Sequence, residues 1–379
     1  MTGSLATGAS ISSGGVLQAT VSGIEMVAAT GSAGNDVILG GSGNDTVSVF
    51  GGADRVATGA GDDDVQLYLD GGADVINMGL GFDQIATFQT LAGDLDLVMG
   101  ATSTVKIGGV LVSTWTGVDQ ITLSGGAGND TITTAGGNDL IYAGNGANLV
   151  QTAGGDDGIT AYLDGLTDTV DGGLGNDMLS VQGGSTGYTV DLATPGVVLI
   201  KDGLGIEVQA TGIEHLTLYG GYSVTASDLL LGLSGDDTLY GNGGNDTIDG
   251  GAGNDLINGG AGVDRLTGGA GADQFAFTYA TDAVPGPLLD RITDFAQGSD
   301  VVVLSNIDAN TANGTFTNEA FSFIATAAFG HVAGQLRYYA DPGSLRVVVQ
   351  GDTNGDGVAD LQFGLTGAGL VLTAADFIL

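Results

Sequence analysis

Residues 232–275 read GLSGDDTLYGNGGNDTIDGGAGNDLINGGAGVDRLTGGAGADQF, and in them Asp237, Asp246, Asp255, Asp264 and Asp273 recur every nine residues. A glycine-rich hexapeptide ends at each aspartate. Two residues beyond it stands one apolar side chain: Leu239, Ile248, Ile257, Leu266 and Phe275. The pattern G-G-x-G-x-D-x-U-x divides into a six-residue loop and a three-residue strand. Glycine tolerates positive φ and lets two backbones approach one ion, and the carbonyls such loops leave exposed are hard oxygen donors. The strand turns its one apolar residue inward. Two repeats then make a coil of eighteen residues with a strand on each of two sides. Residues i and i+18 stack one strand spacing apart, about 4.8 Å. Asp237 thus lies over Asp255 and Asp273, and Asp246 over Asp264. Bare carboxylates at that spacing repel by a few kcal/mol. A divalent cation between loops turns the repulsion into cohesion, whereas an array of turns with solvated aspartates has no reason to hold the register.

The same grammar recurs upstream in two blocks. The first carries Asp36, Asp45, Asp54, Asp63, Asp74 and Asp83; the second carries Asp130, Asp139, Asn148, Asp157, Asp168 and Asp177, each 94 residues beyond its counterpart. Both copy one irregular step of eleven residues, Asp63 to Asp74 and Asp157 to Asp168, and both long steps contain YLDG. Asn148 and these long steps are expected to disturb the pairing and leave some sites weak. Short cues precede the blocks: GIE at 23–25, GVD at 117–119 and GIE at 212–214. Apolar alternation in DLDLVMG (94–100) and YTVDL (188–192) predicts strands ahead of two of them.

These marks divide the chain into three modules, each a strand-rich lead-in followed by a roll: residues 1–92, 93–185 and 186–276, with a cap and tail over 277–379. Stacked repeats bury one continuous ladder and need closing at their ends. The first module lacks most of its lead-in, which reads as a start at a domain boundary or an engineered one. In the third, GYSVTASD (221–228) reaches Asp228 almost without loop glycines, which makes Asp228 a poor ligand candidate.

Composition fits the same reading. Glycine makes up 72 of the 379 residues, without a collagen-like period. Seven Lys+Arg stand against 44 Asp+Glu, a formal charge of −37. Such self-repulsion opposes a compact state unless cations bind. It also argues against nucleic acid or an anionic membrane as partner, since no basic run interleaves with aromatics. Cysteine is absent, which suits export without disulfide chemistry. The N-terminal MTGSLATGASISSGG shows no basic segment followed by an apolar one, and no apolar run is long enough to span a membrane.

The nonapeptides resemble those of RTX (haemolysin-type) calcium-binding β-roll proteins. Residues from about 230 to the end are similar to the C-terminal β-roll and secretion region of serralysin-type metalloproteases. That likeness is carried by FAFTYATDAVPGPLLDRITDFAQGSDVVVLSNID (275–308), AGQLRYY (333–339), GDTNGDGVADLQFGLTG (351–367) and the final LTAADFIL (372–379). It implies an all-β fold of tandem right-handed parallel β-rolls with a β-rich cap. It also implies calcium as cofactor, an uncleaved type I secretion signal ending in Asp376, Phe377, Ile378 and Leu379, and transient contact with an ABC-type exporter. The expected metal ligands are Asp36, Asp45, Asp54, Asp63, Asp130, Asp139, Asp157, Asp177, Asp237, Asp246, Asp255, Asp264 and Asp273, with backbone carbonyls of Gly232, Gly241, Gly243, Gly250, Gly259 and Gly268.

A second candidate loop places Asp352, Asn354, Asp356 and Asp360 at calcium-loop positions 1, 3, 5 and 9, with Gly357 at 6. Position 12 is Phe363, so it is no EF-hand, and a solvated turn between RVVVQ and LQFGL explains the segment equally well.

The protease chemistry of the resembled family has no counterpart. H-E-x-x-H would be needed on a helix, and His215 and His331 are the only histidines. Both read as structural or surface residues. GGSTG (183–187) matches the hydrolase elbow in letters, but a strand pattern follows where a helix is required. Trp115 reads as packing rather than as a sugar platform. Paired carboxylates could serve a glycosidase, yet their even spacing is better explained by calcium. The expectation is therefore a secreted, non-catalytic calcium-binding roll that folds outside the cell and serves a surface, matrix or adhesive role. Cell-surface polysaccharide or self-association are its candidate partners. The alternatives are the folding and secretion module of a larger exported enzyme, or a polysaccharide-modifying enzyme that uses the roll face.

Overall fold

The computed structural model describes residues 2–3, 10–13, 25–89, 93–184, 187–203, 205–221, 223, 226–313, 318–342, 344–367 and 369–379. Parts of the first GIE cue, of GGSTG and of GYSVTASD lie outside them. Short strands dominate, and the helical segments described are brief 3-10 turns such as Ala280–Ala283 and Ala374–Asp376. The chain divides into two compact units, residues 1–180 with 207–213 and residues 181–206 with 214–379.

In the first unit the chain winds between two parallel sheets. Asp36–Leu39, Arg55–Ala60 and Asp74–Leu80 line one, while Ala28–Thr30, Thr46–Val49, Asp64–Leu69 and Gln84–Gln89 line the other. Val37 pairs with Arg55 and Thr46 with Asp64, the eighteen-residue coil read from the repeat. Across the eleven-residue step Arg55 pairs with Val75 and Asp64 with Gln84, so the coil widens to twenty and the ladder continues. The expected disturbance of pairing does not occur. The two added residues bring their own acceptor: Asp70 takes the amides of Gly52 (3.1 Å) and Gly72 (2.9 Å). In the second block Asp164 likewise takes those of Gly146 (2.7 Å) and Leu166 (3.0 Å).

The lead-in DLDLVMG forms the strand Leu95–Val98, which opens a three-stranded insertion. Leu95–Val98, Ser103–Ile107 and Val110–Thr116 run antiparallel to one another, while the outer two pair in parallel with Thr131–Thr133 and with Asp74–Leu80. One sheet therefore passes through the insertion unbroken. The other steps straight from Gln84–Gln89 to Gln120–Ser124. The second block then repeats the first, with Thr131 paired to Leu149 and Leu149 to Thr169.

In the second unit Thr189–Asp191, from the lead-in YTVDL, pairs antiparallel with Val197–Lys201 and in parallel with Leu229–Leu231. Coils of eighteen follow, Leu229 over Thr247 over Arg265 in one sheet and Thr238 over Leu256 over Gln274 in the other. Beyond the nonapeptides both sheets go on. Arg291–Ile292 extends the first and leads to Leu361–Thr366, the edge of an antiparallel meander with Arg346–Asp352 and Gln335–Ala340. Val301–Val303 and Phe377–Ile378 extend the second.

The apolar residue two places beyond each repeat aspartate forms the core. Ile38, Val47, Ile132, Ile141, Leu239, Ile257 and Phe275 are wholly enclosed, and Val56, Ile76 and Val170 nearly so. Each contributes about 1.5–3 kcal/mol on burial. Trp115 is enclosed too, its indole N–H donating to the Ser113 hydroxyl at 2.7 Å, which bears out the packing role.

The candidate calcium ladder

A strand only three residues long cannot bury an aspartate by itself; the loop that precedes it does so by folding over the next coil. Every repeat aspartate is enclosed, none more than 3 % exposed. One carboxylate oxygen of each is spoken for by backbone. Asp36 N–H donates to Asp54 Oδ1 at 2.7 Å, Asp45 to Asp63 at 2.7 Å, Asp139 to Asp157 at 2.7 Å, Asp237 to Asp255 at 2.8 Å, Asp246 to Asp264 at 2.8 Å and Asp255 to Asp273 at 3.0 Å. The row includes block members that stood outside the expected ligand set. Asp74 accepts from Asp54, Asp83 from Asp63 and Asp168 from Asn148. Asp228, discounted for its poor loop, accepts from Tyr188 N–H and donates to Asp246 Oδ1 at 2.8 Å, so it stands within the row. The row also outlasts the nonapeptides: Asp264 donates to Asp290 (2.8 Å) and Asp273 to Asp300 (3.1 Å). Both keep an apolar residue two places on, Ile292 and Val302, and that remnant of the motif was their signal.

A second row runs beside the first on the outside. The residue before the aspartate accepts, through its side-chain oxygen, the amide one coil later: Asn35 from Ala53, Asn44 from Asp62, Asn129 from Ala147, Asn138 from Asp156, Asn245 from Val263 and Asn254 from Ala272, all near 2.9–3.0 Å. The inner row points its acceptors back along the chain and the outer row points them forward. The recurring Asn-Asp dipeptide was the legible sign of it.

The second oxygen of the inner row has the more telling surroundings. Oδ2 of Asp54, Asp63, Asp74, Asp83, Asp130, Asp246, Asp255, Asp264 and Asp273 is buried and has no hydrogen-bond partner. In the first coils it turns to the loop instead, Asp36 to Ser32, Asp45 to Gly41 N–H (2.9 Å) and Asp237 to Leu233 N–H (2.5 Å). A Cβ built on Gly241 would meet Asp246 Oδ2 at 2.4 Å and the Gly259 carbonyl at 2.5 Å; on Gly250, Asp255 Oδ2 at 2.3 Å and the Gly268 carbonyl at 2.6 Å. Gly232, Gly259 and Gly268 press in the same way on Asp237, Asp264 and Asp273. The space thus gathers a bare carboxylate oxygen and a glycine carbonyl of the next coil. Gly243 stands apart and pairs with Ala261 in a short parallel bridge.

Asn148 reports what this space requires. Its Oδ1 occupies the acceptor place for Asp130 N–H at 2.9 Å, and its amide nitrogen donates to the carbonyls of Gly144 (3.4 Å) and Gly146 (3.3 Å). Where the neighbours leave an oxygen facing oxygens, Asn148 supplies a donor. Burial accordingly pushes Asp54, Asp74, Asp246, Asp255, Asp264 and Asp273 up, and only part of the rise is offset by the amide each accepts. Asp74, Asp246 and Asp264 reach about 7, and Asp54, Asp255 and Asp273 about 6. The like charge one coil away adds to the rise, as at Asp246 facing Asp264. No three acidic or histidine side chains among the described residues converge closely enough to hold a metal by themselves. A cation here must share its shell between carboxylate and carbonyl oxygen, the hard, roomy donor set that suits calcium.

The remaining candidates fall elsewhere. Asp352 is enclosed and accepts from Gly355 N–H (2.7 Å) and Gly357 N–H (2.9 Å), while Asp360 accepts from Thr353 and Asn354 and Asp356 from Val358. The loop's oxygens are thus turned on its own amides. His331 packs against Gly357 and His215 against Gly235, with His215 Nδ1 2.9 Å from the Asp236 carbonyl oxygen. Asp376 is buried under Thr373, whose N–H and hydroxyl it accepts, and Phe377–Ile378 docks as a strand. No helix of the described residues is long and apolar enough to cross a membrane.

A family model described as RTX calcium-binding nonapeptide repeat (4 copies) matches residues 30–65, 122–159, 167–185, 222–257 and 240–275. The chain belongs to the family of RTX calcium-binding repeat proteins, and calcium is the ion its nonapeptides bind. Among solved structures it is similar to the AlgE6R3 subunit from the Azotobacter vinelandii mannuronan C5-epimerase, with 30% identity over 41% of this chain and 81% of that one, at a TM-score of 0.30. It is similar to the AlgE6R2 subunit of the same enzyme at 29% identity, over 40% of this chain and 91% of that one, with a TM-score of 0.28. It also matches the extracellular lipase LipA from Serratia marcescens at 19% identity and a TM-score of 0.23, over 70% of this chain but only 45% of the lipase. A comparison with curated proteins gives no match.

Proposed function

We propose that this chain is a secreted roll whose folding is completed by calcium outside the cell, with a structural role at a surface, in a matrix or in adhesion. The calcium is held by Asp54, Asp63, Asp130, Asp246, Asp255, Asp264 and Asp273 together with the carbonyls of Gly241, Gly250, Gly259 and Gly268. To the expected set we add Asp74 and Asp83, whose second oxygen is equally bare. The observation that carries the reading is the row of buried, partnerless Oδ2 atoms facing loop carbonyls, with Asn148 supplying a donor at its own rung. A ligand that binds only the folded state stabilises it by RT ln(1+[L]/Kd) at each site, and many sites share one ladder. Chelation is therefore expected to collapse the β signal in circular dichroism, and calcium to restore it where magnesium, which demands a tight octahedron, does not. A spectrum unchanged by exhaustive chelation defeats the proposal.

Export through an ABC-type type I system, directed by the tail ending in Asp376-Phe377-Ile378-Leu379, is part of the same reading. So is the absence of catalysis: the carboxylates are committed to a regular ladder. The alternative of a folding module belonging to a larger exported enzyme draws support from the two similar chains being subunits from an epimerase.

A further inference from the structure

Seven basic residues serve this whole chain, and three of them, Arg265, Arg291 and Arg346, lie on strands of one sheet in the second unit. Arg265 and Arg291 are register partners on neighbouring parallel strands, both exposed, so their side chains leave the same face about 4.8 Å apart. Arg291 is in turn the partner of Gly364. Because Gly364 lacks a side chain, the stem of Arg346 lies across it: a Cβ there would stand 2.7 Å from Arg346 Cδ. The glycine thereby brings Arg346 beside Arg291, with which it lines one cavity. Both lysines are matched singly, Lys106 with Asp96 at 2.8 Å and Lys201 with Asp191 at 2.5 Å. Here one carboxylate, Asp341, bonds Arg346 Nη2 at 2.5 Å, and the buried Nε of Arg346 has no partner. Arg291, Arg346, Ser344, Leu345 and Thr366 line a cavity of about 250 Å³.

We propose that this cavity is an anion site that takes a compact oxyanion, a carboxylate or sulfate group, between Arg291 and Arg346, with the hydroxyls of Ser344 and Thr366 as further donors. The logic mirrors the aspartate rows. Two guanidinium groups that line one cavity repel, and a counter-ion between them removes the repulsion. Guanidinium supplies paired donors that match the two oxygens of such a group. Ser344 and Thr366 add hydroxyl donors at the rim, and Leu345 adds apolar surface.

The test is calorimetric titration of the full calcium-loaded chain, at low ionic strength and fixed free calcium, with sodium sulfate and with sodium glucuronate; glucose is the neutral control. Saturable binding of sulfate and glucuronate, or of glucuronate alone, is expected, the second outcome marking a carboxylate site. Arg291→Gln, at an exposed position outside the calcium rows, is expected to weaken it about tenfold, the loss of one charge-assisted contact. Arg346→Gln is expected to weaken it at least as much, with calcium-dependent melting recorded on both variants to verify the fold. No saturable heat with either anion, equal heat with glucose, or unchanged affinity in Arg291→Gln overturns the proposal.

Discussion

At the scale of the residue, the second oxygen of each repeat aspartate decides the chemistry. A carboxyl raised from 3.8 to about 6 or 7 is neutral more readily in the folded roll than in the unfolded chain. Its stabilising contribution is therefore complete below the unfolded value and is lost as pH climbs through the folded one. For calcium-free protein this means that acid substitutes for calcium. The β signal lost to chelation at pH 8 is expected to return as pH falls towards 5, and circular dichroism across that range checks it. With calcium present the ion and the proton compete, so apparent affinity falls over the same interval. Asn148 supplies the converse case. Asn148→Asp removes the donor to Gly144 and Gly146 and restores a bare oxygen, so it is expected to add to the calcium bound, counted by equilibrium dialysis, and to weaken the chelated protein. An unchanged ion count would mean the rung has another partner.

At the scale of the element, the loop glycines matter less for their φ angles than for the space they leave. Gly250 needs no left-handed conformation, yet a methyl there reaches Asp255 Oδ2 and the Gly268 carbonyl at under 3 Å. Gly250→Ala is expected to remove the calcium-dependent rise in melting temperature and to cost about 1–3 kcal/mol from crowding. Gly100→Ala, with nothing within 4 Å, is the matched control and is expected to melt as the parent does. The elements also show how far the sequence could be read. The nine-residue period told which residues turn inward, because Ile38, Leu239 and their counterparts follow from counting alone. It missed that an eleven-residue step closes a coil as well as a nine-residue one does, since that depends on Asp70 and Asp164 finding amides a coil away. It also undervalued Asp228, and missed Asp290 and Asp300. A full glycine-rich hexapeptide was the cue for a loop; Asp228 has only Gly220 and Gly221 at the start of its loop, and Asp290 and Asp300 lie beyond the repeats. The outer Asn row was present as a dipeptide, but its partners appear only once coils are stacked.

At the scale of the molecule, 44 acidic residues against seven basic ones set a formal charge of −37 against compaction. On the proposed reading, repulsion keeps the chain open where calcium is scarce, and the rows neutralise and close where it is plentiful. An exporter that threads unfolded chains is suited to that difference. Removal of about the last fifty residues is expected to abolish release through a type I system reconstituted with this chain as cargo, whereas removal of residues 1–120 is expected to leave it intact. Recovery of the tail-less chain in the medium would make the tail a cap and nothing more.

The hand-over of the aspartate row to Asp290 and Asp300 bears on a different hazard. A stack in which each layer offers the next an amide donor and a carboxylate acceptor is a polymer with a living end, able to add a layer from any molecule that presents the same face. The last nonapeptide aspartates instead give their amides to residues whose segments are not themselves repeats, and an antiparallel meander then occupies the edge of one sheet. That substitution works as a chain terminator. It sets a finite degree of polymerisation for a motif that has no length limit of its own, and it keeps the exposed end from templating fibre growth between neighbouring molecules.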